Sequence, residues 1–248
     1  MRIYAHRGSS LIWPENTLLA FKLAHEAGAT GFEADLRLSK DHQIVLSHDA
    51  SLSRFGLSAK SISNLTADEL CKIDICSPDG LYTAKLTTLK TLLKAYPDKD
   101  YIFDCKISDE LLFHNLKNLL VEMEFHNRVW FLTWSEQADN HVRQILPGYK
   151  IFPRANRARV WGWFSMVGLG YLFEPKNQIL SLPAYHKKIP LFGKRQIASI
   201  HASGTRFVGY LVNSKKELER CIACKVEIVL TDRPDLIRGE SLKPNEKK

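Results

Sequence analysis

Two histidines near the start of the chain have the chemistry to act on an anionic group. His6 is followed by Arg7 just after the first apolar residues, and His48 follows the apolar tripeptide IVL. Imidazole titrates near neutral pH, so a pair of histidines can supply the acid and the base of one reaction. Arginine adds a permanent positive charge for a phosphate or a carboxylate. Each histidine alone is more typical of a structural role, but the combination indicates catalysis.

Three carboxylates are candidates for a cation site beside these histidines. Glu33 and Asp35 alternate along the segment GFEADLRL, so the two-residue period of a strand puts both side chains on one face. Asp104 occupies a similar place in YIFDCK. Carboxylate oxygens are the preferred ligands of Mg²⁺ and Ca²⁺, and a cluster without a His–Cys set argues against zinc. The alternative is a structural ion pair with Arg37 or Lys106.

Strand-like and helix-like segments alternate along most of the chain, which predicts a (β/α)₈ TIM barrel over residues 1–240 as a single domain. A doubly wound open sheet is the alternative. The eight strand candidates lie at 2–8, 31–38, 101–106, 128–133, 148–152, 178–182, 205–212 and 227–231. Helix-like segments lie at 15–28, 109–122, 135–146, 193–203 and 214–224. In such a barrel the carboxyl ends of the strands meet at one face, where the polar side chains named above would gather.

Three segments depart from this alternation of strands and helices. Residues 50–98 are predicted to form a small insertion after the second strand unit, with short helical pieces at TADELCKI and TTLKTLLKAY. Residues 241–248 are polar and charged, and are predicted to be a mobile tail. Residues 154–173 combine three arginines with an aromatic, uncharged run that is too short to span a bilayer. That stretch suits either a membrane-surface anchor or a packed barrel segment.

The overall composition limits the remaining possibilities. The formal net charge of +8 indicates an acidic partner or substrate, but no nucleic-acid-binding motif accompanies it. Five cysteines, an odd number, and the lack of an export signal predict a cytoplasmic protein. Residues 154–173 leave a location peripheral to the membrane open. Cys221 and Cys224 fit core packing better than half of a zinc site. Nothing in the sequence indicates an oligomeric state.

The stretch AHRGSSLIWPENTLLAFKLAHEAGATGFEADLRLSKDHQIVLSHDASLSRF resembles the glycerophosphodiester phosphodiesterase family. The shared pattern is HRG, PENT, an E-x-D strand, a K-D turn and an HD pair. LTADEL, KLTTLKTLLKAY and VLTDRPDL resemble later family segments more loosely, whereas residues from about 150 to 190 match none. The resemblance implies hydrolysis of a glycerophosphodiester to glycerol 3-phosphate and an alcohol.

The resemblance also implies roles for particular residues. A divalent cation, Mg²⁺ or Ca²⁺, would be held by Glu33, Asp35 and Asp104. His6 and His48 would form the acid–base pair, without an indication of which is the acid. The nucleophile would be water or a hydroxyl of the glycerol itself.

Further residues complete the implied site. Arg7 and Lys106 would bind the phosphate. Glu15 and Asn16 lie in the PEN turn, where Glu15 would orient Arg7 or a metal-bound water, or else serve only to cap the first helix. Tyr210 would border the substrate pocket.

The chain departs from the family pattern at two positions. Asp104 stands where the family usually has the Glu of an E-x-K strand, which keeps the ligand type but shortens it by one methylene. Tyr210 stands where the family's W-T-x-N strand has its indole, so the alcohol specificity is expected to differ. The basic and aromatic segment 154–173, Tyr210 and the net positive charge together make a lysophospholipase D acting on membrane lysophospholipids an alternative. A noncatalytic phosphate-binding module is a minor one.

Overall fold

Eight parallel strands form a nearly closed barrel in this computed structural model, which describes residues 1–125, 128–153, 160, 179–186 and 189–238. The predicted TIM barrel is thus confirmed. The barrel strands, here numbered by themselves, are β1 (Arg2–His6), β2 (Gly31–Leu38), β3 (Asp100–Cys105), β4 (Val129–Leu132), β5 (Lys150–Ile151), β6 (Ile179–Leu182), β7 (Arg206–Gly209) and β8 (Ile228–Thr231).

The strand order excludes the doubly wound alternative. The sheet runs β5-β4-β3-β2-β1-β8-β7-β6, so neighbours in the sequence are neighbours in the sheet. The first strand, β1, also pairs with the last, β8, from Arg2↔Ile228 to Ala5↔Thr231. A doubly wound sheet instead reverses its strand order near the middle. Joining the first strand to the last is the step that closes a barrel.

Helices follow most of the strands and cover the outside of the barrel, apart from one short helix that packs within the 50–98 segment. They are α1 (Leu18–Glu26), α2 (Ala67–Leu70), α3 (Leu89–Ala95), α4 (Glu110–Glu122), α5 (Glu136–Ile145), α6 (Lys194–Ala202), α7 (Lys215–Ala223) and α8 (Pro234–Arg238). Thr, Asp or Ser side chains cap several of their amino ends, as at Thr17, Asp109, Ser135 and Ser214. Cys221 and Cys224 are both buried in an apolar cluster beneath α7, in agreement with their predicted packing role.

The segment at 50–98 packs a small core of its own against β2. A short strand, Ile44–Leu46, pairs antiparallel with β2 and leads into two hairpins and α2. α3 closes this segment, and its Leu89, Leu92 and Leu93 are fully buried in the main core. The 50–98 segment therefore interrupts the barrel between β2 and α3, the barrel helix that follows β2. The small core consists of Val45, Leu52, Ile62, Ala67, Leu70, Ile73, Ile75 and Leu86.

Two of the sequence predictions fall outside the described residues. They are the tail at 241–248 and all of the segment at 154–173 except Val160. Among the helices that are described, none combines the length and the apolar character needed to cross a membrane.

Candidate active site

The carboxyl ends of β1, β2 and β3 bring four of the predicted side chains to one face of the barrel. Strand pairing sets His6 beside Glu33, and Asp35 beside Asp104. This face carries the active site in barrels of this kind. The four side chains are therefore positioned by the strand register and not by loop conformation.

Glu33, Asp35 and Asp104 form a compact, buried carboxylate cluster. One oxygen of each residue lies within 4.8 Å of the others. Burial and the charge of Asp35 raise the pKa of Glu33 to about 8, and burial also raises the pKa of Asp104. The side chains around the cluster thus leave part of its negative charge uncompensated.

Two cations hold Asp35 in its ionised form. Arg7 Nε lies 2.9 Å from Asp35 Oδ2, and Lys106 Nζ lies 3.0 Å from Oδ1 and 2.5 Å from Asp104 Oδ2. Burial acts to raise the pKa of Asp35, but Arg7 and Lys106 outweigh it and keep that pKa below its usual value. The ion pair with Lys106 that the sequence left open is therefore formed.

The cluster fits a hard divalent cation. Its donors are carboxylate oxygens alone, the ligand type that Mg²⁺ and Ca²⁺ prefer. Carboxylates this close repel one another when ionised, and the raised pKa of Glu33 is the result of that repulsion together with burial. A cation among the three oxygens would relieve the repulsion.

The turn after β1 directs Arg7 toward the cluster. Arg7 has φ of 55° and Gly8 has φ of 85°, both in the left-handed region. This turn lets the Arg7 amide donate to the carbonyl oxygen of Glu33 at 3.0 Å and to its Oε2 at 3.1 Å. A Cβ on Gly8 would lie 2.6 Å from the carbonyl carbon of Ala20 in α1. Only glycine fits there, because both the backbone angle and the helix exclude a side chain.

His6 is anchored by a carboxylate that follows the last strand. Its Nδ1 lies 2.6 Å from Asp232 Oδ1. Since a carboxylate only accepts, Nδ1 carries the proton, and Nε2 lies 3.8 Å from Glu33 Oε2. Burial acts to lower the pKa of His6, but Glu33 and Asp232 raise it above its usual value.

Asp232 is in turn held by neutral donors. Ser10 Oγ donates to its Oδ1 at 2.8 Å, and Asn213 Nδ2 donates to its Oδ2 at 2.5 Å. Asn213 Oδ1 accepts from the Asp232 amide at 2.9 Å. Although burial acts to raise it, the hydrogen bond and charge of His6, with the side-chain hydrogen bonds from Ser10 and Asn213, lower the pKa of Asp232. The carboxylate therefore keeps its charge opposite His6.

His48 has a similar anchor in a more open setting. Its Nδ1 lies 2.7 Å from Asp49 Oδ1, and its side chain is 37 % exposed, against 16 % for His6. Arg37 donates through Nε and Nη2 to the His48 carbonyl at 3.1 and 2.8 Å. His48 does follow a strand, as predicted, but this strand is Ile44–Leu46, which lies antiparallel beside β2.

Glu15 and Asn16 contact the predicted site residues directly. Asn16 Nδ2 donates to Asp35 Oδ2 at 2.8 Å, and the Asp35 amide donates back to Asn16 Oδ1 at 3.2 Å. Arg7 Nη1 donates to the Glu15 carboxylate at 3.2 and 3.4 Å. The residue that caps α1 is Thr17. These contacts match an orienting position for Glu15, whereas the cap is supplied by another residue.

A tryptophan indole lies close to the site, but it follows a different strand from Tyr210. Tyr210 follows β7, is 38 % exposed and donates its amide to the Leu182 carbonyl. Trp134 follows β4 and donates Nε1 to Asp104 Oδ1 at 2.6 Å. The centre of its ring lies 5.1 Å from Lys106 Nζ. An aromatic ring thus contacts two of the predicted site residues from β4.

Sequence reasoning missed several residues that hold the site together. Four of them carried a usable signal, because polar or aromatic side chains within four residues of the end of a barrel strand belong to the catalytic face. Arg54 carried no such signal, since it lies within the 50–98 segment. The missed residues are Ser10, Arg54, Trp134, Asn213 and Asp232.

Several known proteins resemble this chain, and they indicate one family. The glycerophosphodiester phosphodiesterase of Caldanaerobacter subterraneus is 28 % identical over 95 % of both chains. A lysophospholipase D of Rattus norvegicus is 32 % identical over 58 % of this chain and 48 % of its own. A phosphodiesterase of Oleispira antarctica, solved with the product sn-glycerol-3-phosphate, superimposes with a TM-score of 0.72 at 20 % identity, covering 96 % of both chains.

The family assignment extends across nearly the whole barrel. The model of the glycerophosphoryl diester phosphodiesterase family matches residues 6–236, from the first histidine of the site to the helix after the last strand. This match includes both anchored histidines and all three carboxylates of the cluster. The chain therefore belongs to the glycerophosphoryl diester phosphodiesterase family and is a glycerophosphodiester phosphodiesterase.

Proposed function

We propose that the protein hydrolyses glycerophosphodiesters to glycerol 3-phosphate and an alcohol in a reaction that depends on a divalent cation and on His6 and His48. The observation that carries the proposal is the cluster of Glu33, Asp35 and Asp104, with oxygens within 4.8 Å of one another, beside a histidine anchored by Asp232. Phosphodiester hydrolysis needs the charge of the phosphate oxygens neutralised and protons moved at the attacking and leaving oxygens.

The cluster would hold Mg²⁺ or Ca²⁺. When bound, such an ion supplies positive charge to the phosphate and lowers the pKa of an attacking hydroxyl. The shorter Asp104, in place of the family's glutamate, retains an oxygen donor, and Trp134 and Lys106 fix its orientation.

Arg7 and Lys106 would bind the nonbridging oxygens of the phosphate. Both lie beside Asp35, and both carry their charge permanently in this setting. Burial acts to lower the pKa of Lys106, but Asp35 and Asp104 raise it above its usual value. Since Arg7 is also held by Glu15, its guanidinium is preorganised for an anion before substrate binds.

His6 and His48 would transfer the protons. In each of them Nδ1 faces an aspartate, which leaves Nε2 as the reactive nitrogen. One imidazole would remove the proton of the nucleophile and the other would protonate the departing alkoxide. Tyr210, exposed after β7, would contact the alcohol portion of the substrate.

The test is release of glycerol 3-phosphate from glycerophosphocholine and glycerophosphoethanolamine with Mg²⁺, with Ca²⁺ or with EDTA. We expect turnover with one of the two ions, loss with EDTA, and recovery when the ion is restored. His6→Ala should lower it by about 10²- to 10⁴-fold. Turnover that continues unchanged in EDTA, or in His6→Ala, would contradict the proposal.

Action on membrane lysophospholipids is a second candidate function. It is supported by large apolar side chains exposed in loops at the carboxyl ends of the barrel strands: Leu11 at 49 %, Trp134 at 62 % and Tyr210 at 38 %. The partial likeness to a lysophospholipase D supports it too. The protein would then be cytoplasmic and peripheral to the membrane, with a further contact through 154–173. Co-sedimentation with anionic lysophospholipid-containing vesicles at moderate salt tests this candidate, and absence of binding would reject it.

A further inference from the structure

Arg54 joins two parts of the site that belong to different loops. It lies in a single turn of 3₁₀ helix, Ser53–Phe55, inside the 50–98 segment. Its Nη2 and Nη1 donate to Glu15 Oε1 and Oε2 at 2.6 and 3.1 Å, and its Nε donates to Asp49 Oδ2 at 2.8 Å. One guanidinium therefore binds a carboxylate from each of two loops.

Each of those carboxylates also contacts a residue of the proposed mechanism. Glu15 accepts from Arg7 Nη1 at 3.2 Å. The second oxygen of Asp49 lies 2.7 Å from His48 Nδ1. The contacts thus form a continuous path of alternating charge from Arg7 through Glu15, Arg54 and Asp49 to His48.

The pair of His48 and Asp49 needs an external support. The two residues are adjacent in the sequence and are both about one-third exposed, so their mutual contact alone does not fix the ring relative to the barrel. The Arg37 contacts hold the His48 carbonyl but not its ring. Arg54 fixes Asp49 to Glu15, which is largely buried, and the planar fork of a guanidinium sets both distance and orientation.

We infer that Arg54 is a positioning residue that orients the His48 ring through Asp49 and fixes it relative to the phosphate-binding Arg7 through Glu15. This inference rests on the proposed function, in which His48 transfers a proton. Arg54 itself is 46 % exposed, and ion pairs this open to water contribute little to stability. Its contribution is therefore expected in turnover more than in folding.

The first experiment compares Arg54→Ala and Arg54→Lys with the wild type under the conditions that support glycerol 3-phosphate release. We expect kcat to fall about 10- to 100-fold for alanine, since a small misplacement of a reacting group has effects of that order. Lysine can form one ion pair but not the fork, so its kcat should fall between the two. KM should change little, because Arg7 keeps its contact with Asp35.

The chain offers a matched control in Arg2. This arginine is similarly exposed and forms an ion pair of 2.6 Å with Asp100, at the opposite end of the barrel from the site. Arg2→Ala should leave kcat within about twofold of the wild type, since nothing in the mechanism involves it. An Arg54→Ala variant that behaves like Arg2→Ala would overturn the inference.

A second measurement separates positioning from a structural effect. In a His48→Ala background the ring that Arg54 orients is absent, so Arg54→Ala should lower the residual rate by less than about threefold. The same loss in both backgrounds would mean that Arg54 acts on the fold, and would also overturn the inference. Wild-type protein without turnover, or His48→Ala as active as wild type, would instead contradict the proposed function.

Discussion

The two anchored histidines lie in parts of the molecule that are organised differently. His6 is largely buried, and Asp232 reaches it across the pairing of β1 with β8, held by the neutral donors Ser10 and Asn213. His48 is more exposed, and Asp49 is held by the charged side chain of Arg54 from the 50–98 segment. The same imidazole–carboxylate unit is thus built once by closure of the barrel and once by a surface loop.

This difference has consequences for both stability and catalysis. Around His6, the groups that orient the ring also join the last strand to the first, so they belong to the fold itself. Around His48, the orienting groups are exposed to water and can be changed with less effect on folding. We expect substitutions near His6 to affect activity and stability together, and those near His48 to affect activity mainly.

The largest expected effect is loss of either imidazole. His6→Ala and His48→Ala should each lower kcat by about 10²- to 10⁴-fold, the usual contribution of a general acid or base. If both act in one step, the double variant should be little worse than the poorer single variant. Steady-state kinetics on the preferred glycerophosphodiester measures this. Retention of more than a tenth of the activity by one variant would assign proton transfer to the other histidine alone.

The next effect distinguishes the two anchoring aspartates. Asp232→Asn should lower kcat by roughly 10²-fold or more, because a buried amide can favour the wrong imidazole tautomer and removes the charge opposite His6. Asp49→Asn should cost only about 10-fold, since water can solvate the more exposed His48. Both rates are measured at saturating substrate. Equal losses of kcat in the two variants would show that the difference in exposure between the two histidines does not change how much each depends on its aspartate.

A smaller effect concerns the free energy of unfolding. Asn213→Ala should lower it by about 1–3 kcal/mol, because Asp232 loses a donor and its amide loses an acceptor. Arg54→Ala should lower it by less than about 1 kcal/mol. Urea unfolding of the two variants in EDTA gives the comparison. If Arg54→Ala lowers the free energy of unfolding more than Asn213→Ala does, the groups around His48 matter more for folding than those around His6, contrary to our expectation.

The smallest effect is a pH dependence of stability. The pKa of Asp232 is lowered in the folded protein from its ordinary value of 3.8, so its ionised form stabilises the fold above that value. This contribution disappears as the pH falls through the lowered folded-state pKa. The stability difference between wild type and Asp232→Asn should therefore be greatest above about pH 4 and shrink below it. A difference independent of pH would assign the effect of the substitution to packing.

Much of the site follows from local patterns in the sequence. The alternation in GFEADLRL places Glu33 and Asp35 on one face, and the parallel register then sets Asp35 beside Asp104. The eight strand candidates all contain or overlap a barrel strand, because each is a short apolar or alternating run, and most of them lie next to a helix-like segment. Patterns of this kind depend on neighbours within a few residues, so they can be recognised in the sequence without the tertiary structure.

The sequence by itself determined the barrel, the cation-type carboxylate set and the two histidines, since strand period and residue chemistry are local properties. Only the tertiary structure decided which groups orient those histidines. Asp232 lies 226 residues from His6, and Arg54 reaches Glu15 across 39 residues. Such partners meet because the last strand pairs with the first and because the 50–98 segment folds back over the site, and no local pattern encodes either contact.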